Sequence, residues 1–185
     1  MVSTDKTDIA ADGAANDNYG FAVTMHATTA AVSAPSDDIG ANTDQGSVYI
    51  YQLTGSVWSL DTKCLATDGT AINKFGYSIC MNGAFLIIGS PGVDAAYIIW
   101  KLVVWQLVQK LVGSSGTTYG RAVTIFGNYA AVAYTLSGFG GMAGIVKLYF
   151  RGALGVWNLQ ATLNDPYPYV NQIFGEVFRW AQMIW

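Results

Sequence analysis

The sequence predicts an all-β fold in which one short unit is repeated three times. An aromatic residue followed by glycine recurs roughly every 50 residues, a spacing typical of repeat architectures. A Val-Trp pair follows each of the first three of these landmarks, and β-branched and aromatic residues dominate between them, which favours strands. The aromatic-Gly pairs with this spacing are Tyr19-Gly20, Phe75-Gly76, Tyr119-Gly120 and Phe174-Gly175, and the Val-Trp pairs are Val57-Trp58, Val104-Trp105 and Val156-Trp157.

Each pass through the repeat predicts four short strands in a fixed order. A short alternating strand leads through a tight turn to a second strand of small apolar residues. A variable loop precedes the third strand, and Val-Trp opens the fourth. The first strands are predicted at 21–25, 77–81 and 121–125, the second at 30–35, 85–91 and 130–134, and the third at 46–51, 95–100 and 144–149. Four such strands form one blade of a β-propeller. A meandering sandwich with coincidental Trp spacing is the alternative.

The repeat predicts about three full four-stranded antiparallel blades, with partial blades at both ends of one propeller domain. Residues 1–18 are expected to be the end of a preceding blade and its connector, and 174–185 the start of a further blade. The full blades are predicted at 19–74, 75–118 and 119–173. Propellers close with about four to eight blades. The chain is therefore expected to be part of a longer protein, to complete its ring with a second copy, or to close as a small four-bladed unit.

Two segments of the second repeat resemble a known family. Phe75-Gly76-Tyr77-Ser78-Ile79 followed by Ile88-Gly89-Ser90-Pro91 is similar to the FG-GAP repeat of integrin α-type propellers. The segments 46–51 and 109–111 extend the resemblance, whereas Tyr134-Thr135-Leu136 in the third repeat departs from it. The resemblance implies a propeller in a secreted, cell-surface or lumenal protein. Several blades of that family carry an Asp-rich calcium loop between their first two strands.

The composition excludes several classes of protein. Only 11% of residues are charged, against about 25% in an average domain, and the net charge is −3. A run of phosphates would therefore meet no basic surface, so no nucleic-acid partner is expected. The apolar stretch 95–113 is about as long as a membrane span, but Lys101, Gln106, Gln109 and Lys110 interrupt it and its residues favour strands. No transmembrane segment is predicted, and residues 1–8 show no signal peptide.

The acidic loop 36–45 contains the candidate ligand-binding residues Asp37, Asp38 and Asp44. Carboxylates this close together can contact an ion or another ligand, but Asp, Asn and Gly are also the usual residues of an exposed turn. The turns between the first two strands lack a carboxylate cluster, so no calcium or other metal is predicted there. No cofactor is predicted. Cys64 and Cys80 have no CxxC spacing and are expected to be free and buried rather than bridged.

The sequence offers no catalytic constellation. His26 is the only histidine and is expected at the surface of a hairpin turn, which leaves no Ser-His-Asp set. Trp58, Trp105 and Trp157 recur in register and are expected to pack between blades. Aromatic residues outside that register gather near the carboxyl end, where they are expected either to form an exposed patch or to be buried against another chain. They are Tyr167, Tyr169, Phe178, Trp180 and Trp185.

These observations together predict a non-enzymatic propeller module that serves protein–protein interaction or scaffolding, as a subunit or fragment of a larger assembly. Its expected partners are other protein chains or the remainder of its own propeller. A carbohydrate-binding propeller is the alternative, with glycans contacted by loop aromatics and by Asp38 or Asp44. A polysaccharide-acting hydrolase or lyase is a third, weaker alternative, because one histidine and dispersed carboxylates do not form a catalytic site.

Overall fold

The computed structural model describes residues 12–138 and 141–165, and within them the chain forms twelve β-strands and one 3₁₀ turn, Pro91–Val93. The strands are β1 (Val23–His26), β2 (Thr29–Ala34), β3 (Ser47–Thr54), β4 (Val57–Cys64), β5 (Ser78–Asn82), β6 (Phe85–Ser90), β7 (Ala95–Lys101), β8 (Trp105–Val112), β9 (Ala122–Phe126), β10 (Tyr129–Gly138), β11 (Gly141–Arg151) and β12 (Trp157–Asn164).

The strands form three sheets of four, and each sheet follows the order of the chain. The first sheet is β1-β2-β3-β4, the second β5-β6-β7-β8 and the third β9-β10-β11-β12. Every neighbouring pair is antiparallel. Because consecutive strands pair through short connections, each sheet is a local meander. We call these sheets the first, second and third blade, and the predicted all-β class is confirmed.

The outer strand of every blade is bent at the same place. The ladder between the third and fourth strands shifts register after Ile50, Ile98 and Leu148, positions that correspond between the three blades. A bulge of this kind inserts one residue and increases the local twist of the strand. Its recurrence places Thr62, Gln109 and the alanine at 161 at one equivalent position, each paired with the residue before the shift.

The blades stack on one another through their faces. Strand β5 packs against β1 on one side and against β9 on the other. The first seam, between the first and second blades, buries Ala31, Val48, Met81 and Leu86 in one apolar cluster. The second seam, between the second and third blades, is a separate cluster. We call the side of a blade that faces the preceding blade its leading face. Small residues on the opposing face of the preceding blade let the two sheets approach closely.

The third blade differs from the predicted loop arrangement. A variable loop was expected between its second and third strands, after Tyr134, but β10 and β11 stay paired from Tyr129 opposite Phe150 to Gly138 opposite Gly141. In the first two blades the corresponding ladder ends beside a proline, Pro35 or Pro91. A proline has no N–H to donate to a ladder. The third blade has Thr135 there instead, so the hairpin continues.

The long apolar stretch of the second repeat is a pair of strands. Strands β7 and β8 occupy most of 95–113, separated by an exposed turn. In the described residues, 12–138 and 141–165, the structure has no helix that is long and apolar enough to cross a membrane.

Several smaller expectations concern single residues. Cys64 and Cys80 are free thiols, and both are half-buried rather than fully buried. His26 is exposed at the end of β1. Of the in-register tryptophans, Trp157 is fully buried while Trp58 and Trp105 are only half-buried. Residues 1–11 of the segment 1–18 that was predicted to end a preceding blade lie outside the described residues. So do the predicted start of a further blade at 174–185 and the carboxyl-terminal aromatics, Tyr167, Tyr169, Phe178, Trp180 and Trp185.

Candidate functional site

Asp37 is tied into its own blade. Its side chain is buried, accepts a hydrogen bond from the Ser47 hydroxyl and shares the single phenolic proton of Tyr49 with Asp12. The ammonium of Lys63 lies 2.7 Å from the Asp37 carboxylate. A buried carboxylate needs such partners because desolvation of an unpaired charge costs several kcal/mol. Asp37 therefore holds the loop 36–45 against β3 and β4.

Asp38 and Asp44 also stabilise the loop 36–45. Asp38 is exposed, and its carboxylate accepts the backbone N–H of Asp44 at 2.8 Å. Asp44 has a left-handed backbone, with φ of 55°, and pairs with Lys74 at 2.6 Å. Hydrogen bonds from Lys74 and Ser36 hold the pKa of Asp44 below its usual value. The three candidate carboxylates share a loop, but each points to a different partner.

A tyrosine, a lysine and an aspartate form the same arrangement in the first two blades. In the first blade, Tyr49 donates to Asp12 at 2.9 Å and Lys63 pairs with Asp12 at 2.5 Å. In the second, the phenol of Tyr97 donates to Asp68, also at 2.9 Å, and the ammonium of Lys110 pairs with Asp68 at 2.5 Å. Each aspartate comes from the connector that precedes the blade, so the arrangement fastens connector to sheet. We call it the Tyr-Lys-Asp triad.

Charge pairing in the triads shifts their acid–base equilibria. Hydrogen bonding to Lys63 lowers the pKa of Asp12, and hydrogen bonding to Lys110 lowers the pKa of Asp68, in both cases against the opposing effect of burial. Burial opposes the charged form of Lys63, but its bonds to Asp12, Asp37 and Tyr49 outweigh this and raise its pKa. Asp12, Asp68 and Lys63 therefore stay charged near neutral pH. The triads hold connector and sheet together by charge pairing and do not act as general acids or bases.

Metal-ligating side chains are not clustered in the part of the chain that the structure describes. Within 12–138 and 141–165, no group of three or more His, Cys, Asp or Glu side chains is arranged to hold an ion. Asp94, a further loop carboxylate, accepts the backbone N–H groups of Gly116, Thr117 and Tyr119 at 2.6–3.1 Å. It therefore orders the connector into the third blade.

Gly76 and Gly120, the glycines of the second and third aromatic-Gly pairs, lie at blade boundaries. A Cβ at Gly76 would lie 2.9 Å from the Ser47 carbonyl oxygen of the first blade. A Cβ at Gly120 would lie 2.2 Å from the Ala95 carbonyl oxygen of the second blade. Gly20 has nearly the same backbone angle, φ 90° against 92° and 94°, but no atom of the described residues lies within 4 Å of its Cβ position. Among the residues that the structure describes, none fills at Gly20 the space that a preceding blade fills at the other two glycines.

The leading face of the first blade is exposed. Met25 is 58% exposed, whereas the equivalent Met81 in the second blade is 4% and Ile125 in the third is 3% exposed. The neighbouring Phe21 and Val23 are exposed as well. The same sequence positions therefore form a buried seam in two blades and an open apolar surface in the first.

The two seams differ at their outer rim. In the second seam the amide of Gln109 accepts the backbone N–H of Trp157 at 2.8 Å and donates to its carbonyl at 2.9 Å. In the first seam the equivalent residue is Thr62, and the indole N–H of Trp105 donates instead to Asp61 at 3.2 Å. A cavity of about 280 Å³ lies beside Trp105. Its lining residues come from β4, its connector, β7 and β8.

Three consecutive four-stranded meanders, packed face to face around short inner strands, define a β-propeller architecture. Residues 8–51 and 58–99 match the family model of the FG-GAP repeat, and the chain is an FG-GAP repeat protein. The second match begins in β4 and ends in β7, so one sequence repeat contributes its first strand to one blade and the remainder to the next. No curated protein matches this chain.

The sequence pattern alone did not identify the triads or the rim cavity. A signal for the triads was present: an Asp-Gly pair stands seven positions before the aromatic residue in two connectors, at Asp12 and Asp68. No comparable signal marked the cavity, because Thr62 is an ordinary strand residue. The effect of Thr62 on the packing of the rim can be recognised only by comparison with Gln109 at the equivalent position.

Proposed function

We propose that this protein is a non-enzymatic interaction or scaffold module that binds other polypeptides through the leading face of its first blade. The observation that carries the proposal is the exposure of Met25 where Met81 and Ile125 are buried. Contiguous apolar surface of this kind usually marks a protein contact. Burial of apolar area on association stabilises a complex by about 25 cal/mol per Å² before the costs of ordering.

The occupant of this face is the opposing face of a further blade of the same kind. At the seams, the glycine of the aromatic-Gly pair lets main-chain carbonyls of the preceding blade approach to contact distance. Gly20 provides the same backbone conformation and the same clearance without an occupant. A globular surface of bulky side chains would not need that clearance. A sheet face with small residues, as at Ser33 and Ser47 on the central strands β2 and β3 of the first blade, fits it.

Properties of the family support this assignment. FG-GAP propellers generally mediate protein contacts and are typically non-enzymatic, and the repeats are typical of extracellular or secreted proteins. We propose an extracellular, cell-surface or lumenal location on that basis. For the glycan alternative, Asp38 is the first residue to test, because its carboxylate is exposed while Asp37 and Asp44 are paired with lysines. Specific signals on a glycan array that disappear in Asp38→Asn would support it.

Site-specific cross-linking tests the proposed docking face. A photoreactive phenylalanine analogue is placed at 25, and the cross-linked peptides are identified by mass spectrometry. The proposal expects peptides from the face of a further blade, contributed either by another protein or by a second copy of this chain. A matched control at Val57, which is 63% exposed on the outer strand of the same blade, should not give these products. Cross-links only to segments without the blade pattern, or none, would show that the occupant is wrong.

A charge substitution provides an independent measurement. Met25→Glu should weaken the isolated assembly while leaving the fold intact, because the side chain is already exposed. The mass of the complex is measured by light scattering, with Val57→Glu as the control. An assembly that survives Met25→Glu unchanged would contradict the proposed face.

A further inference from the structure

The outer rim of the first seam is filled differently from that of the second. The second seam shows how this architecture fills its rim. There, Phe85 packs edge-on against Trp157 with ring centroids 5.9 Å apart. The amide of Gln109 satisfies both main-chain groups of Trp157. A phenyl ring and an amide therefore occupy the space beside this tryptophan.

The first seam lacks both of these groups. Thr29 stands at the position of Phe85, since each begins the second strand of its blade opposite the last residue of the first strand. Thr62 stands at the position of Gln109. Among the described residues, no ring packs against Trp105, and no side-chain amide bonds its main chain. The cavity of about 280 Å³ is lined by Thr62 and Trp105, so it lies beside the position where the amide is missing, whereas Thr29 does not line it. The ammonium of Lys101 lies over the Trp105 ring, 5.9 Å from its centroid.

The walls of the cavity suit a neutral aromatic group. Phe75, Ile99, Leu65 and Leu107 supply apolar surface beside the Trp105 indole. The cavity exceeds the roughly 150 Å³ that suffices for benzene in an apolar protein interior. Leu65 and Leu107 are partly exposed, so the cavity can be reached from solvent.

Charged groups at the rim already have partners. Lys63 is paired with Asp12 and Asp37, and Asp61 with Lys101. Burial, with a smaller contribution from Asp61, raises the pKa of the Cys64 thiol to about 12, so the thiol is neutral near neutral pH. A charged ligand would therefore have to displace an existing ion pair, whereas a neutral one would not.

We propose that this rim cavity binds a phenylalanine side chain of a partner polypeptide in extended conformation. The phenyl ring packs against the Trp105 indole, as Phe85 does against Trp157, and a peptide group of the partner replaces the amide of Gln109. A peptide phenylalanine is the occupant because it carries both of the groups that the second seam supplies internally. This surface is separate from the leading face of the first blade, so the two proposals fail independently.

Titration of the intact protein with N-acetyl-L-phenylalanine amide tests the proposal. The readout is the indole N–H resonance of Trp105 in ¹⁵N-labelled protein, assigned with Trp105→Phe. Saturable binding is expected with a dissociation constant on the order of 1 mM, the range for a ligand of this size. Shifts should be confined to Trp105 and absent at Trp58 and Trp157.

A substitution that installs the missing amide provides the matched control. Thr62→Gln should occupy the rim as Gln109 does and weaken binding about tenfold or more. Ala161→Gln introduces the same side chain at the equivalent position of the third blade and should change binding by less than about twofold, because the sites are distant. Equal affinity in Thr62→Gln and the unmodified protein would overturn the proposal.

Two further ligands keep the test independent of any variant. N-acetyl-L-alanine amide has the peptide groups without the ring and should not shift the Trp105 resonance. Benzyl alcohol has the ring without the peptide groups and should bind more weakly. Benzyl alcohol binding as tightly as the phenylalanine derivative would show that the cavity is a small-molecule site, and the absence of saturable binding by the phenylalanine derivative would show that the rim is not a ligand site.

Discussion

A matched pair of glycine substitutions measures the blade boundary directly. Gly20→Ala and Gly120→Ala introduce the same methyl group at corresponding positions, with φ of 90° and 94°. The backbone strain of placing an L-residue there is therefore common to both and costs about 1–2 kcal/mol. Only the surroundings differ, because a Cβ at 20 has no neighbour within 4 Å while one at 120 would lie 2.2 Å from the Ala95 oxygen.

The expected difference follows from these contacts. The Ala95 carbonyl and the Ser90 nitrogen near Gly120 are main-chain atoms of the second blade, so they cannot rotate aside as a side chain would. Overpacking of this kind costs about 1–3 kcal/mol. Gly120→Ala should thus lose about 1–3 kcal/mol more than Gly20→Ala. In a domain of this size, the melting temperatures of the two variants should differ by roughly 2–12 °C.

Urea unfolding followed by tryptophan fluorescence gives both free energies of unfolding. The purified chain is used, so that no other protein covers the first blade. Equal losses in the two variants would refute the reasoning, because they would mean that Gly20 is as closely packed in solution as Gly120. Gly20→Ala should also weaken docking of a partner blade, which separates its effect on assembly from its small effect on folding.

Four other substitutions test the packing and the electrostatics. Met81→Ala should cost about 2–5 kcal/mol of unfolding free energy and Met25→Ala under about 1 kcal/mol, measured by urea titration; similar losses would mean that Met25 is buried. Gln109→Ala should cost about 1–3 kcal/mol in the same assay, because it removes both bonds to the Trp157 main chain, and no loss would show that water replaces them. Hydrogen bonding lowers the pKa of Asp68, so its stabilisation is present above the unfolded-state pKa and is lost as pH falls through the folded-state value. Since its side chain is 50% exposed, Asp68→Asn should cost only about 0.5 kcal/mol at neutral pH, and a cost that persists in strong acid would contradict this assignment.

The strands were predictable because their signal is local. Alternation of apolar and polar residues and turn residues between them specify a strand and its end without reference to the rest of the chain. The register of β3 with β4 was harder to foresee, since the bulge after Ile50 shifts it. The extension of β10 past Thr135 was missed for a related reason. Glycines at 138, 140 and 141 indicated a loop, but the ladder bonds of a paired hairpin outweighed that local preference.

The candidate carboxylates show where local reasoning ends. A cluster of aspartates in a loop indicates exposure or ligand binding, and Asp38 is exposed as expected for a turn. Asp37, one position earlier, is buried because β3 and β4 bring Ser47, Tyr49 and Lys63 to it. Those residues lie outside the loop, so no spacing within the loop predicts that they contact Asp37.

The sequence by itself determined that this protein is built from repeated four-stranded blades, because each repeat carries its own strand and turn signals. Tertiary structure decided which of the equivalent positions are covered. Met25 and Met81 occupy the same position of the repeat, but the first blade covers Met81, whereas no described strand covers Met25. Likewise, nothing in the sequence around Thr62 and Gln109 distinguishes these two strand residues. Their difference depends on the opposing blade, where Gln109 bonds the Trp157 main chain and Thr62 lines a cavity. Periodicity specifies the face of a sheet, whereas burial is a property of what packs against that face.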